Sequence, residues 1–360
     1  MVPLLYNRYF PTPAYLAMNS FALDISDQSI KYGELVPSSY GLRLGRFNKE
    51  KIPSGIVVSG RIEKSEELVK ILRTIKIRED MHFIRVSLPE EQIYLFTLSL
   101  PKLSDVDLRD TIMLQLEGHV PISAIETVFD YAIISEDETS VWVQVVATAR
   151  ATIESYMSVF ERAGLVPLSF ELEAQAIARA VVPRNEMSPI MIIDLGHSRT
   201  GISIASAGHV LFTTTIDIGG ESLTQMISKN FEISFDKAEA MKRSYGIDDV
   251  HHPSNDVFPV IVNSISMLRD ELNKHYIYWK THEDDHLKHE KINRIVLCGE
   301  GSNLSGIAEY LETSMMMNVI HANPWINISN MEISVPEMSF EESLGYVTVL
   351  GLALGNYIYD

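Results

Sequence analysis

The sequence holds one cysteine in 360 residues, so no internal disulfide can form. That residue, Cys298, lies in the apolar run Ile295-Val296-Leu297-Cys298 and reads as a buried strand residue in a reducing cytoplasm. Positive charge is also short. The 30 Lys and Arg face 48 Asp and Glu, a formal net charge of -18. Binding to phosphate-rich polymers needs a surplus of cations on at least one face, so nucleic acid is not an expected partner. Direct adhesion to anionic lipid is disfavoured for the same reason. No stretch approaches the roughly 20 uninterrupted apolar residues of a membrane-spanning helix, and this includes the closing segment Gly345 to Tyr357. The chain therefore reads as soluble, with no direct membrane insertion. The arm 1–17 is apolar and aromatic, but Pro3, Pro11 and Pro13 interrupt it and no cleavage region follows. Tyr6, Tyr9, Phe10 and Tyr15 read as packed on the surface, with membrane contact as the alternative.

The composition, 46% hydrophobic and 22% charged, is enough for two packed lobes. Phe21 to Ile25 and Ile30 to Leu35 form a hairpin pattern around Ser26-Asp27-Gln28-Ser29. A short strand at Ile56 to Val58, a helix from about Ser65 to Lys76 and a strand Phe83 to Leu88 follow. From Gln92 the pattern changes to strand, helix Asp105 to His119, strands Val128 to Ile134 and Val141 to Thr148, and helix Thr152 to Ala163, an α+β insertion over 92–165. A loop at Gly164 and Pro167 leads to a helix Glu173 to Val182, ended by Pro183. The opening pattern then recurs as a three-strand meander from Ile190 to Thr215, followed by helices Ser222 to Asn230, Phe235 to Ser244 and about Val257 to Trp279. The histidines His282, His286 and His289 could share a helical face as metal ligands. Mixed with Glu, Asp and Lys they read instead as a solvated connection, as do His251 and His252.

Each half carries an acidic turn at the end of an apolar strand: Leu23-Asp24-Ile25-Ser26-Asp27-Gln28-Ser29 and Ile193-Asp194-Leu195-Gly196-His197-Ser198-Arg199-Thr200. Backbone N–H groups and small hydroxyls of such a turn can surround a phosphate, while the aspartate holds Mg²⁺ directly or through water. A single strand-ending Asp is more often only a turn former; the pair is the stronger signal. A third element, Ile295 to Leu304, runs from a buried strand through Gly299 and Gly301 towards a helix. It is either a plain turn or a place of close backbone approach to a ligand.

In this order the turns resemble the actin, sugar-kinase and heat-shock-ATPase superfamily. Within it Gln115-Leu116-Glu117-Gly118-His119-Val120-Pro121-Ile122, Phe129-Asp130-Tyr131, Phe170 to Ala180, Gly219-Gly220-Glu221, Ile233 to Glu239, Asn323-Pro324 and Gly351 to Leu354 resemble the PilM family. The resemblance implies an α/β fold, actin-like (ribonuclease H-like) and two-lobed, with an inserted α+β subdomain. Lobe 1 would comprise 18–91, 166–189 and 344–360, the partner-binding insertion 92–165, and lobe 2 190–343, with its helical part at about 222–290. It implies ATP and Mg²⁺ as cofactors, with Asp24 and Asp194 on the metal. Ser26, Gln28, Ser29, Ser198 and Thr200 would lie near the phosphates, with Lys31 at the end of the first hairpin, and Gly196, Gly219 and Gly220 would also belong to the cofactor site. Glu239, Lys242, Gly299, Gly301 and Ser302 would serve the nucleoside, and Glu173 would orient the attacking water. Taken alone, Glu173 is equally a charged helix start and Glu239–Lys242 a surface ion pair. Ser26, His197 and Glu300 depart from the family's small residues, which implies weakened binding and weak or absent hydrolysis. The expected role is an ATP-binding cytoplasmic scaffold of type IV pilus assembly that binds the tail of an inner-membrane PilN-like protein. Pilus assembly ATPases and self-association are further expected contacts. The alternatives are an FtsA-like cell-division filament protein and an ATP-dependent small-molecule kinase.

Overall fold

The computed structural model describes residues 19–38, 41–102, 104–247, 257–281, 291–329 and 335–357. The arm 1–17 and the histidines at 251, 252, 282, 286 and 289 lie outside them.

Two five-stranded sheets share one topology. The first is built from β1 (Ser20–Ile25), β2 (Ser29–Ser38), β3 (Gly41–Lys51), β6 (Phe83–Leu88) and β10 (Val166–Leu172), in the order β10-β6-β1-β2-β3. The second holds β11 (Ile190–Leu195), β12 (Thr200–Ser206), β13 (His209–Ile216), β14 (Arg294–Cys298) and β15 (Val319–His321), in the order β13-β12-β11-β14-β15. In each, an antiparallel meander is extended by two parallel strands. The central strands β1 and β11 are buried on both faces, so their apolar residues run without polar alternation. Phe21, Leu23 and Ile25 face one core while Ala22 faces another.

The first core is closed by helix α1 (Ser65–Glu79). Its first turn carries Glu66 and Glu67, its last turn Lys76 and Arg78, and its buried Leu68, Val69, Leu72 and Ile75 recur at helical spacing. The insertion packs helix α2 (Asp105–His119) on a three-stranded sheet, β7 (Ile93–Pro101), β9 (Ser140–Ala149) and β8 (Thr127–Glu136). Helix α3 (Arg150–Ala163), expected with the insertion, places Tyr156, Val159 and Phe160 in the first sheet's core beside α1. A two-stranded ribbon, β4 (Val57–Val58) with β5 (Arg61–Ile62), lies at the edge of the same core.

Residues Val166 to Phe170, expected as a loop, belong to strand β10. Pro167 is tolerated because β10 is an edge strand and its register shifts between Pro167 and Ser169. Helix α4 (Glu173–Val181) and, much later, the C-terminal helix both run between the two sheets. The intervening helices α5 (Gly220–Phe231), α6 (Phe235–Tyr245), α7 (Val257–Thr281) and α8 (Ile307–Met315) pack on the second sheet's outer face. A short helix α9 (Phe340–Leu344) precedes α10 (Val347–Leu354), every residue of which is buried, as an apolar-all-round helix requires. Ala176 of α4 and Val349, Leu350, Leu352 and Ala353 of α10 share a core with the first sheet.

Candidate functional site

The two acidic turns line a single cleft of 430 Å³ between the sheets. In the first, the Ser26 hydroxyl donates to the Ser29 carbonyl at 3.0 Å and accepts from the Ser29 N–H at 3.2 Å, which closes the turn on itself. In the second, the Gly220 and Glu221 N–H groups at the start of α5 donate to the Gly196 and His197 carbonyls at 3.1 and 2.8 Å.

The aspartates occupy equivalent places. Asp24 pairs across strands with Lys31, and Asp194 with Gly201. On the other side Ser87 donates to Asp24 at 2.8 Å, while Cys298 is the register partner of Asp194. Gly299 follows with φ +83°, and a side chain there would lie 2.4 Å from Asp194 Oδ1 and 2.5 Å from the Leu195 carbonyl. Only glycine meets both conditions.

Of the residues expected at the site, Asp24, Ser26, Gln28, Ser29, Lys31, Glu173, Asp194, Gly196, Ser198, Glu239 and Gly299 line the cleft. The others stand behind it. Thr200 is buried with its hydroxyl on the Ile218 carbonyl at 2.6 Å. Gly219 abuts the backbone of residues 197–199, and Gly220 stands behind the same turn. Gly301 abuts the Leu195 carbonyl, and Ser302 is buried, donating to the Gly299 carbonyl at 2.7 Å. The Lys242 ammonium is engaged by Glu239 at 2.7 Å, Thr224 at 2.9 Å and the Gly220 carbonyl at 3.0 Å, so it ties α6 to α5. This network outweighs the burial of Glu239 and brings its carboxyl down to about 2.

Several cleft residues carry no signal in a single motif. Arg199 donates to Asp27 at 3.0 Å and to Ser59 at 2.8 Å and pairs with Glu91, joining the second turn to the first sheet. Opposite charges at Asp27 and Arg199, one in each turn, are the only hint of this in the sequence. Glu300 is engaged by Lys31 and Lys49 rather than projecting unneutralised into the cleft.

The cleft is electrostatically unbalanced. Burial pushes the Asp194 carboxyl up to about 6 and Asp24 upward too, in both cases against the lowering influence of Lys31. Burial, with Asp24 and Asp194 nearby, lifts Glu173 well above the ordinary carboxylate range. A divalent cation would relieve this repulsion. Among the described residues no three acidic, histidine or cysteine side chains converge on one point.

Glu90 offers a test of this field. Burial raises its carboxyl to about 8, against the hydrogen bond that Thr215 donates to it at 3.3 Å. The folded chain thus keeps a proton that the unfolded chain releases near the ordinary carboxylate value. The stability it confers is complete below that value and is lost as pH rises through about 8. Between about pH 6 and about pH 8.5 the wild type is expected to lose roughly 2 kcal/mol more than Glu90→Gln, allowing for water in the cleft. Urea midpoints at the two pH values measure this; equal losses in both proteins would remove Glu90 as the source.

The family model of type IV pilus assembly protein PilM matches residues 22–357. The chain belongs to the PilM family. A solved PilM–PilN type IV pilus biogenesis complex superposes with a TM-score of 0.79 at 19% identity, covering 95% of this chain and 100% of that one. MreB5 of Spiroplasma citri bound to ADP gives 0.55 at 16% identity, over 85% of this chain and 92% of that one. At these identities the likeness is one of fold, and the fold is actin-like. Curated relatives are cell division protein FtsA of Neisseria meningitidis, 28% identical over 29% of this chain and 26% of the relative, and of Staphylococcus epidermidis, 22% identical over 57% and 48%. The chain thus spans from about a quarter to about half the length of the curated relatives it matches. Among the described residues no helix is long and apolar enough to cross a membrane.

Proposed function

We propose that this chain is a nucleotide-bound scaffold of type IV pilus assembly, holding Mg-ATP in the cleft and binding the cytoplasmic tail of a PilN-like inner-membrane protein. The observation that carries the reading is the convergence of two equivalent aspartate turns on one cleft within a PilM-family fold. Asp24 and Asp194 would hold the metal. The turns 26–29 and 196–198 and Lys31 would take the phosphates, and Glu239 would face the nucleoside. Bound Mg²⁺ supplies charge neutralisation for the phosphates.

Turnover is expected to be slow or absent. Glu173, at the start of α4, is the candidate to orient water, and burial with Asp24 and Asp194 nearby raises its carboxyl, which makes it a weaker proton acceptor than an exposed carboxylate would be. The nucleotide then acts as a conformational ligand, favouring whichever lobe arrangement it binds more tightly. Partner binding is assigned to the insertion, whose Leu114 and Ile125 are 83% and 86% exposed. A solved relative, the PilM–PilN type IV pilus biogenesis complex, carries a partner in its name. Attachment to the inner membrane would pass through that partner.

A calorimetric titration with Mg-ATP, followed by a phosphate assay on the same sample, tests the proposal. Saturable binding with little phosphate is expected; no heat of binding would reduce the cleft to a structural remnant. Rapid phosphate release would replace the scaffold with an ATPase.

A further inference from the structure

Lys31 and Lys49 are register partners on β2 and β3. Like charges directly opposite on neighbouring strands repel, so the pair stands as a ready clamp for an anion. Here that anion belongs to the chain itself. The Glu300 carboxylate reaches across from the turn after β14, lies 2.9 Å from the Lys31 ammonium and pairs with Lys49. Lys31 also donates to the Gly345 carbonyl at 2.7 Å. A side chain at Gly345 would come within 2.7 Å of Glu300 Cγ, so the glycine leaves the space through which Glu300 passes. Both lysines and Glu300 line the cleft.

We infer that Glu300 is a tethered competitor for the phosphates of a nucleotide, and that it sets how much phosphate charge a ligand needs in order to take Lys31 and Lys49. The inference rests on the nucleotide reading above. Two ammonium groups cannot be neutralised fully by both a carboxylate and a polyphosphate, so the ligand must outcompete a group held permanently at high local concentration. A triphosphate has charge enough to do so. A monophosphate, with a charge of about -1.5 to -2, brings markedly less than a triphosphate does. Glu300 side-chain exposure of 44% places it at the rim of the cleft, where exchange with solvent is open and its replacement leaves no void in the core.

The test is calorimetric titration of wild type and Glu300→Gln with Mg-ATP, Mg-ADP and AMP at one ionic strength, with thermal midpoints recorded for both proteins. Glu300→Gln is expected to tighten Mg-ATP about tenfold, Mg-ADP by less and AMP hardly at all, and adding Lys49→Met is expected to cancel the gain. Binding that emerges only in Glu300→Gln carries the same conclusion. Equal or weaker Mg-ATP binding in a normally folded Glu300→Gln overturns this inference while leaving the nucleotide site standing. Absence of binding by either protein overturns both.

Discussion

Asp194→Asn is expected to weaken Mg-ATP binding by about a hundredfold, roughly 2.7 kcal/mol, while making the free protein more stable at neutral pH. The two effects have one origin. Asp194 lies in the cleft with its carboxyl pushed up to about 6 by burial and, against Lys31, by the neighbouring Asp24. Such a group stabilises the fold fully below its ordinary value, and that contribution is lost as pH rises through about 6, so at pH 7 the ionised carboxylate is a burden on the free protein. Asparagine keeps the shape and removes the charge. The expected gain, discounted for water in the cleft, is about 1–2 kcal/mol at neutral pH and vanishes near pH 4. Calorimetry reports the affinity, and thermal melts at the two pH values report the stability. An unchanged affinity would remove Asp194 from the metal site.

Gly351→Ala is expected to be strongly destabilising, with a loss of about 3 kcal/mol or more in urea unfolding. A β-carbon at Gly351 would lie 1.7 Å from the Ala176 carbonyl oxygen and 2.4 Å from its carbon. The obstacle is the backbone of α4, which no rotamer change can move aside. Gly351 also offers its own carbonyl to Arg179 at 3.0 Å, and Arg179 is held by Glu171 at 2.6 Å, so retreat of α10 would break an ion-paired network as well. Because Glu173 begins α4, the variant is expected to lose nucleotide affinity in step with stability. A wild-type urea midpoint would show that α10 can shift without cost.

What could be read in advance follows from where the information lies. Asp24 and Asp194 were legible because each ends an apolar strand buried on both faces, a pattern local to a handful of residues. Helix α2 was legible to the residue, since its polar termini and Ser104 cap are local too; Ser104 accepts from the Asp107 N–H at 3.4 Å. Strand β10 was hidden by Pro167, whose meaning depends on edge position, a property of the sheet and not of the segment. Strand β3 was hidden because its residues are mostly exposed or half-buried, so no apolar run marks it. The destination of α3 was hidden because an amphipathic face does not name its partner. The Arg199–Asp27 and Glu300–Lys31 contacts join residues separated by 172 and more positions, and charge alone does not say which pairs meet.

The repeat of one five-stranded topology carries a consequence for direction. Asp24 and Asp194 occupy equivalent places in the two sheets, and so do their neighbours Ser87 and Cys298. A cleft built on that symmetry alone would be blind to polarity, accepting an elongated ligand equally in either sense. The match fails at the cross-strand partners, where one half presents the ammonium of Lys31 and the other the bare backbone of Gly201. That difference in charge gives the groove a head and a tail.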